Sequence, residues 1–330
     1  MEPYPFLLDR VMLTGGTGFF GTAILRTLAS GRFRASNLCI LSRQPKIFED
    51  RYPSLASQAK WVQGDILLPD SISSREPFTY VLHGAADSTH GAALSPTERF
   101  FQIVQGTRNM LDFAVSHGVK RFLLTSSGGV YGEPPPGAHT IPENYLGMPN
   151  PLNAKNVYSV AKRAAENLCA VYAEQYGLEV VVARCFAFVG EDLPFDVHFA
   201  MGNFIRDALW ADEIVVKGDG SPTRSYLDQR DLAEWLLTLL YRGRSGEAYN
   251  VGSDEAISIS ELAYLVRDLI SPSKSVRILG SPTNRNERKS YIPDITKIRL
   301  ELGLRPTICL KESILHTAAA ARNRAKRFGF

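Results

Sequence analysis

The chain has 330 residues, 45% hydrophobic and 22% charged, with a formal net charge of +3. That length allows one large core and a second lobe. The charge is too small to argue by itself for nucleic acid or a membrane surface as partner. No apolar run reaches the roughly 18 residues of a membrane span. Cys39, Cys169, Cys185 and Cys309 lie far apart with no C-x-x-C pair, which reads as reduced thiols in a cytoplasmic protein. The opening MEPYPFLLDR lacks a basic region ahead of an apolar one, so no signal peptide is expected.

In chain order, RVMLTG (10–15), NLCILSR (37–43), KWVQGD (60–65), YVLHGAA (80–86), RFLLTSS (121–127) and EVVVARCF (179–186) read as buried parallel strands. Helical patterns at 20–30, 97–117 and 157–176 lie between them. This alternation predicts an α/β fold, a Rossmann-type doubly wound parallel sheet, over residues 1–190. After Gly190 the pattern breaks: Pro194, Pro222, Pro272 and Pro282 punctuate shorter elements, with helices expected near 199–210, 228–242, 258–270 and 309–325. These form a smaller interleaved lobe over 191–330, with segments near 226–256 returning to the sheet domain. Arg322, Arg324, Lys326 and Arg327 suit a solvated helix end, where cations meet the negative end of the dipole; a nucleic-acid contact is the weaker alternative.

Gly15, Gly18 and Gly21 are spaced G-x-x-G-x-x-G, directly after a strand and at the start of a helix. A tight turn without a ligand is one reading. The other is a diphosphate held by backbone N–H groups at a helix N-terminus, with no Cβ in the way, and the surrounding βαβ unit favours it. An acidic residue at the end of the second strand is the usual partner of an adenosine ribose 2′-hydroxyl. Here Ser42 and Arg43 stand there instead, a pair suited to a 2′-phosphate, because Arg makes charge-assisted contacts to phosphate.

NVYSVAKRAAE places Tyr158 and Lys162 four apart, on one helix face. A tyrosine ionises near pH 10, and an ammonium one turn away favours the phenolate and lowers that value. Upstream, LLTSSGGVYGE ends a strand with Ser126 and Ser127.

TGGTGFFG, the strand-terminal serines and Y-x-x-x-K together resemble the extended branch of the short-chain dehydrogenase/reductase family, in particular its nucleotide-sugar epimerases, dehydratases and reductases. The resemblance covers nearly the whole chain. It implies that Gly15, Thr17, Gly18, Phe19, Phe20 and Gly21 wrap the cofactor diphosphate, and that Asp65 and Ile66 meet the adenine. Ala85 and Ala86 would lie beneath the nicotinamide half, and Ser127, Tyr158 and Lys162 would be catalytic, Ser126 lying beside the substrate. Tyr158 and Lys162 would also contact the cofactor, expected to be NADP from Ser42 and Arg43, with NAD as the alternative. In the second lobe, which the resemblance makes substrate-binding, Asn203 is placed to reach a sugar diphosphate. Arg224 is a nucleotide or diphosphate clamp, and Arg285 or Arg288 a second one. The matching two helices of the family form a two-fold interface, which implies a homodimer.

Two departures narrow the chemistry. Dehydratases of the dTDP-glucose type carry Asp–Glu after the catalytic hydroxyl, whereas this chain has Gly128–Gly129, and elimination of water needs an acid and a base. Ile103 replaces an Asn that often supports the cofactor, and Ala187 the Asn of R-x-F-N-x-x-G. The expected activity is hydride transfer on a nucleotide-diphosphate sugar, as 4-keto reduction at C4. The alternative is a 4-epimerase with retained NAD. Behind these stand a 4,6-dehydratase, a reductase of non-sugar ketones and a non-catalytic cofactor-binding protein.

Overall fold

The structure is a computed structural model that describes residues 6–31, 33–72, 74, 76–86, 94–134, 137–195, 199–281 and 290–328. The elements that position the site are β1 (Val11–Thr14), α1 (Phe19–Ala29), β2 (Leu38–Ser42), β3 (Lys60–Gln63), β4 (Tyr80–His83), α2 (Pro96–Ser116), β5 (Arg121–Ser127), α3 (Val157–Tyr176) and β6 (Glu179–Cys185). They are followed by α4 (Ala200–Trp210), β7 (Thr223–Arg224), α5 (Gln229–Arg242), β8 (Glu247–Val251), α6 (Ile259–Ile270), β9 (Ser290–Tyr291) and α7 (Leu310–Phe328). The main sheet has seven parallel strands in the order β8-β6-β5-β4-β1-β2-β3. That is a doubly wound sheet whose strand order reverses between β1 and β4, and a crevice opens at the carboxyl ends of the strands there.

Burial explains why the strands read as unbroken apolar runs. Met12, Val81, Phe122 and Val180 face the layer of α2 and α3, while Leu13, Leu82, Leu123 and Val181 face the layer that includes α1 and α5. A strand covered on both sides has no polar face to show. Helix α2 begins with a capping box: Ser95 Oγ accepts from Glu98 N, and the Glu98 carboxylate accepts from Ser95 N. Helix α3 ends at Gly177, whose φ of +68° is the left-handed C-cap conformation. After Gly190 the chain leaves the sheet for α4, returns through α5 and the edge strand β8, and leaves again for α6 and α7. Helices α4, α6 and α7 share a separate apolar core around Phe204, Ile205, Leu262, Val266, Ile314 and Ala318. Three short α-helices among the described residues, Pro45–Arg51, Pro53–Ala56 and Thr296–Leu302, are not predicted by periodicity.

Among the described residues no helix is long and apolar enough to cross a membrane. Cys39, Cys169 and Cys185 are buried free thiols and Cys309 is exposed.

Candidate active site

The glycines at the end of β1 have different jobs. Gly15 has φ +77°, and a Cβ there would lie 2.7 Å from the backbone of Gly84. Only glycine lets the β1 loop and the chain after β4 approach so closely. A Cβ on Gly21 would lie 2.3 Å from Gly16 Cα, so this glycine seats α1 against the strand. Gly18 is different: a Cβ there would meet nothing nearer than Gly15 O at 3.5 Å. It is the N-cap of α1 with no side-chain capping bond, and it is exposed together with Thr17. Packing therefore accounts for Gly15 and Gly21 but leaves the bare backbone at Gly18 open, which fits a diphosphate at this helix N-terminus. Phe19 and Phe20 turn their rings onto Phe188, at 6.4 Å and 5.3 Å between centroids, so the start of α1 presents backbone.

The other expected cofactor residues line the same edge. Ser42 closes β2 and accepts a hydrogen bond from Gln44 N, and Arg43 follows it, exposed. After β3, Asp65 caps its own turn by accepting from Leu67 N, and the carbonyl of Ile66 accepts from the buried Asn109 side chain. After β4, Ala85 N donates to Thr14 Oγ1 at 3.1 Å; that hydroxyl also bonds His83 Nδ1 at 2.8 Å. His83 is a core residue: burial first, then the nearby Lys162 charge, pulls its pKa down to about 3, so it stays neutral.

Ser127 is the last residue of β5. Its hydroxyl accepts from Gly129 N at 3.1 Å, and it is near enough to Tyr158 to favour the phenolate. Tyr158 and Lys162 lie on the face of α3 that packs over the end of this strand. Lys162 is 4% exposed, donates to the Thr125 carbonyl at 2.7 Å, and its Nζ lies 6.0 Å from the centre of the Tyr158 ring. Burial lowers the Lys162 pKa to about 8. The phenol departs from the sequence expectation. Burial, followed by the neighbouring Tyr291 and Cys185, raises the Tyr158 pKa well above its usual value, against opposing contributions from Ser127 and Arg99. In the protein alone desolvation outweighs the cations.

Ser126 does not join this group. It is 3% exposed, and its hydroxyl donates to Glu166 at 2.5 Å. Glu166 is also held by Arg184 at 2.7 Å, and Arg184 donates to the Tyr131 hydroxyl at 3.0 Å, which donates to Asn250 at 2.8 Å. This buried chain of polar groups ties α3, β6, β8 and the loop after β5 together beneath the site. It commits the Ser126 hydroxyl to Glu166, and it gives Arg184 a structural task.

The wall beyond Gly128 comes from residues that spacing did not reveal. A Cβ on Gly128 would lie 2.7 Å from the Tyr291 hydroxyl and 2.7 Å from Phe186 Cζ. The two rings lean together, 4.6 Å between centroids. Tyr291 belongs to β9, which pairs in parallel with β7, and there it is the register partner of Arg224. The Arg224 guanidinium lies 5.9 Å from the Tyr291 ring. Asn203 on α4 accepts a hydrogen bond from Arg206 at 3.2 Å. Arg285 and Arg288 lie outside the described residues. Ile103 is 2% exposed and fills core under α2, so the place of a polar cofactor support is apolar. Among the described residues no cluster of His, Cys, Asp and Glu could hold a metal ion.

A parallel sheet with a glycine turn at its switch point and a Ser–Tyr–Lys set at the next strand end defines an extended short-chain dehydrogenase/reductase. A profile of the NAD dependent epimerase/dehydratase family matches residues 11–252. The chain is a member of that family, and an enzyme. It is 30% identical to UDP-glucuronic acid decarboxylase 5 of Arabidopsis thaliana over 317 residues, covering 92% of this chain and 87% of that protein. It is 35% identical to UDP-glucuronic acid decarboxylase 1 of Danio rerio over 212 residues, or 64% of this chain and 49% of that protein. The fold matches a dTDP-glucose 4,6-dehydratase of Streptomyces venezuelae with NAD bound, TM-score 0.83 and 24% identity over 96% of this chain and 98% of that one. It also matches a Thermotoga maritima UDP-glucose 4-epimerase with UDP-glucose, TM-score 0.81 and 23% identity over 96% of this chain and 99% of that one.

The lysine pKa has a measurable consequence. A buried ammonium that titrates near 8 when folded and near 10.4 when unfolded leaves the unfolded chain holding more protons between those values. Stability from this group therefore rises with pH across that window. Lys162→Met removes the term. The difference in unfolding free energy, variant minus wild type, should fall from pH 7 to pH 10 by up to about 1.4 kcal/mol per pH unit. A difference that stays flat in urea titrations would contradict the buried ammonium.

Proposed function

We propose that this enzyme transfers a hydride between a nicotinamide dinucleotide and C4 of a nucleotide-diphosphate sugar, and that its net reaction is 4-keto reduction. The observation that carries the reading is the neighbourhood of Ser127. Ser127, Tyr158 and Lys162 suffice to move a proton to or from a sugar oxygen, while the position that would hold an eliminating carboxylate is Gly128, walled by Phe186 and Tyr291. Dehydration needs a second acid–base pair at that point, and here the space is aromatic.

When bound, the nicotinamide supplies the hydride. Tyr158 gives its proton to the C4 oxygen as charge develops there, and Ser127 hydrogen-bonds the same oxygen. Lys162 keeps a positive charge close to the phenol at neutral pH, because its pKa of about 8 leaves it mostly protonated. Gly18 and the first turn of α1 hold the cofactor diphosphate. The nucleotide-diphosphate sugar reaches the second lobe, where Arg224 is proposed to clamp the diphosphate, with Asn203 and Arg285 or Arg288 as further ligands.

The family's dependence on NAD favours a second reading, 4-epimerisation, in which the sugar is oxidised and reduced again while the cofactor stays bound. An exposed Arg43 after Ser42 supports NADP and with it the reductase. One experiment separates these: thermal shifts with NAD, NADP and a panel of UDP-, dTDP-, GDP- and CDP-sugars, each raising stability in proportion to its affinity, together with the identity of the cofactor released on denaturation. Tightly retained NAD supports the epimerase. A larger shift with NADP, together with release of the oxidised cofactor after each turnover, supports the reductase.

Tyr158→Phe should cut kcat by about 10²- to 10⁴-fold while leaving the affinities for cofactor and nucleotide sugar within about a factor of two, because the phenolic proton matters in the transition state. Full turnover in this variant would remove Tyr158 from the mechanism.

A homodimer is proposed through α2 and α3. Phe101 is 57% exposed on α2, and Phe100, Val104, Leu168 and Val171 are half-buried, more apolar surface than one stripe against a sheet requires. A two-fold interface meets itself, so one new charge acts twice. Light scattering should show a dimer at micromolar concentration that Val171→Glu weakens. A wild-type monomer there would remove the interface and leave the enzyme reading intact.

A further inference from the structure

Arg99 lies in the first turn of α2, and no sequence motif singles it out. Its guanidinium carbon sits 5.4 Å from the centre of the Tyr158 ring. Its Nε is buried and has no hydrogen-bond partner, one of three such side-chain atoms among the described residues and the only one of the three beside the catalytic phenol. The carboxylate next to it in sequence, Glu98, is taken up by the capping box with Ser95. Among the described residues no carboxylate forms an ion pair with Arg99.

A buried guanidinium N–H without an acceptor costs free energy that a purely structural arginine recovers through a carboxylate or a carbonyl. Here the guanidinium faces an aromatic ring instead, and that ring is the one that must give up and regain a proton. The groups around Tyr158 are the Ser127 hydroxyl from β5, the Cys185 thiol from β6, the Tyr291 phenol from β9, Lys162 from its own helix and Arg99 from α2. Only the last two are cations. Burial raises the Cys185 thiol to about 12, and ionisation of either Cys185 or Tyr291 would oppose that of Tyr158.

We infer that Arg99 is a positioning residue for the proton transfer: its guanidinium is a second cation, besides Lys162, that stabilises the Tyr158 phenolate. Burial makes the phenolate expensive in the protein alone. Lys162, partly deprotonated above pH 8, weakens as a counter-charge just where the phenolate is needed, whereas an arginine stays charged throughout. The Arg99 charge therefore holds the acid–base tyrosine usable over a wider pH range than a lysine alone permits. The inference rests on Tyr158 as the proton donor for its catalytic consequence, but its test reads the phenol itself and needs no substrate.

The test is the tyrosinate absorbance of the NAD-loaded protein, titrated from about pH 6 to about pH 11. Wild type, Arg99→Gln and Arg99→Lys are each measured against their own Tyr158→Phe background, so the difference isolates Tyr158. An opposite charge near an ionising group shifts its midpoint by about 1–3 units. Arg99→Gln should raise the midpoint by about one unit or more, and Arg99→Lys should restore at least half of the shift. Near-ultraviolet circular dichroism checks that both variants keep the native fold. A midpoint unchanged in Arg99→Gln overturns the inference, as does a wild-type Tyr158 that stays neutral to pH 11. A role confined to packing would alter thermal stability and leave the midpoint where it was.

Discussion

The site depends on an ammonium taken out of water. Lys162 is buried under α3 with the Thr125 carbonyl as acceptor, and this one hydrogen bond locks the helix to the end of β5. Because Tyr158 is one turn away on the same face, seating the lysine also seats the phenol against Ser127. The arrangement is costly, as the drop in the lysine pKa to about 8 shows. A protein that only needed α3 covered would place a leucine there. Fold and chemistry meet in this residue: the core is compromised so that a cation stands beside a tyrosine.

The remaining elements frame a crevice beside that point. The reversal of strand order between β1 and β4 opens the crevice, and Gly15 permits the β1 loop to close on Gly84 while Gly18 stays bare. The end of β6 and the second lobe together supply the opposite wall through Phe186 and Tyr291, with Arg224 behind them. Beneath lies the chain of bonds from Ser126 through Glu166, Arg184 and Tyr131 to Asn250, which joins β5, α3, β6 and β8. A network like this is stable only when every member is satisfied, which is why its serine is committed to Glu166.

What could be read from the sequence was what depends on local spacing. Strand–helix alternation, the glycine turn and the four-residue step from Tyr158 to Lys162 are set within a turn or two of chain, and the structure places them as expected. The helices of the second lobe were also placed to within a few residues. Separating Ser126 from Ser127 was harder, since both end the same strand and only Glu166, 40 residues on, claims the first. Arg99, Phe186 and Tyr291 were illegible as neighbours of Tyr158 or Gly128. They come from α2, the end of β6 and β9, and only the tertiary fold brings them together. Without a cofactor the Tyr158 shift runs the other way for the same reason: two residues reveal a charge pair, but burial is a property of everything around it.

The central claim is that hydride moves between the nicotinamide and the sugar at C4. The direct measurement uses UDP-, dTDP-, GDP- and CDP-hexoses deuterated at C4, incubated with the enzyme and oxidised cofactor, with the nicotinamide then analysed by mass spectrometry and NMR. The account predicts that at least one of these sugars delivers its deuterium to the nicotinamide ring, and that Tyr158→Phe abolishes the transfer. Deuterium that stays on C4 in every case, or that is lost to water without reaching the nicotinamide, would contradict it.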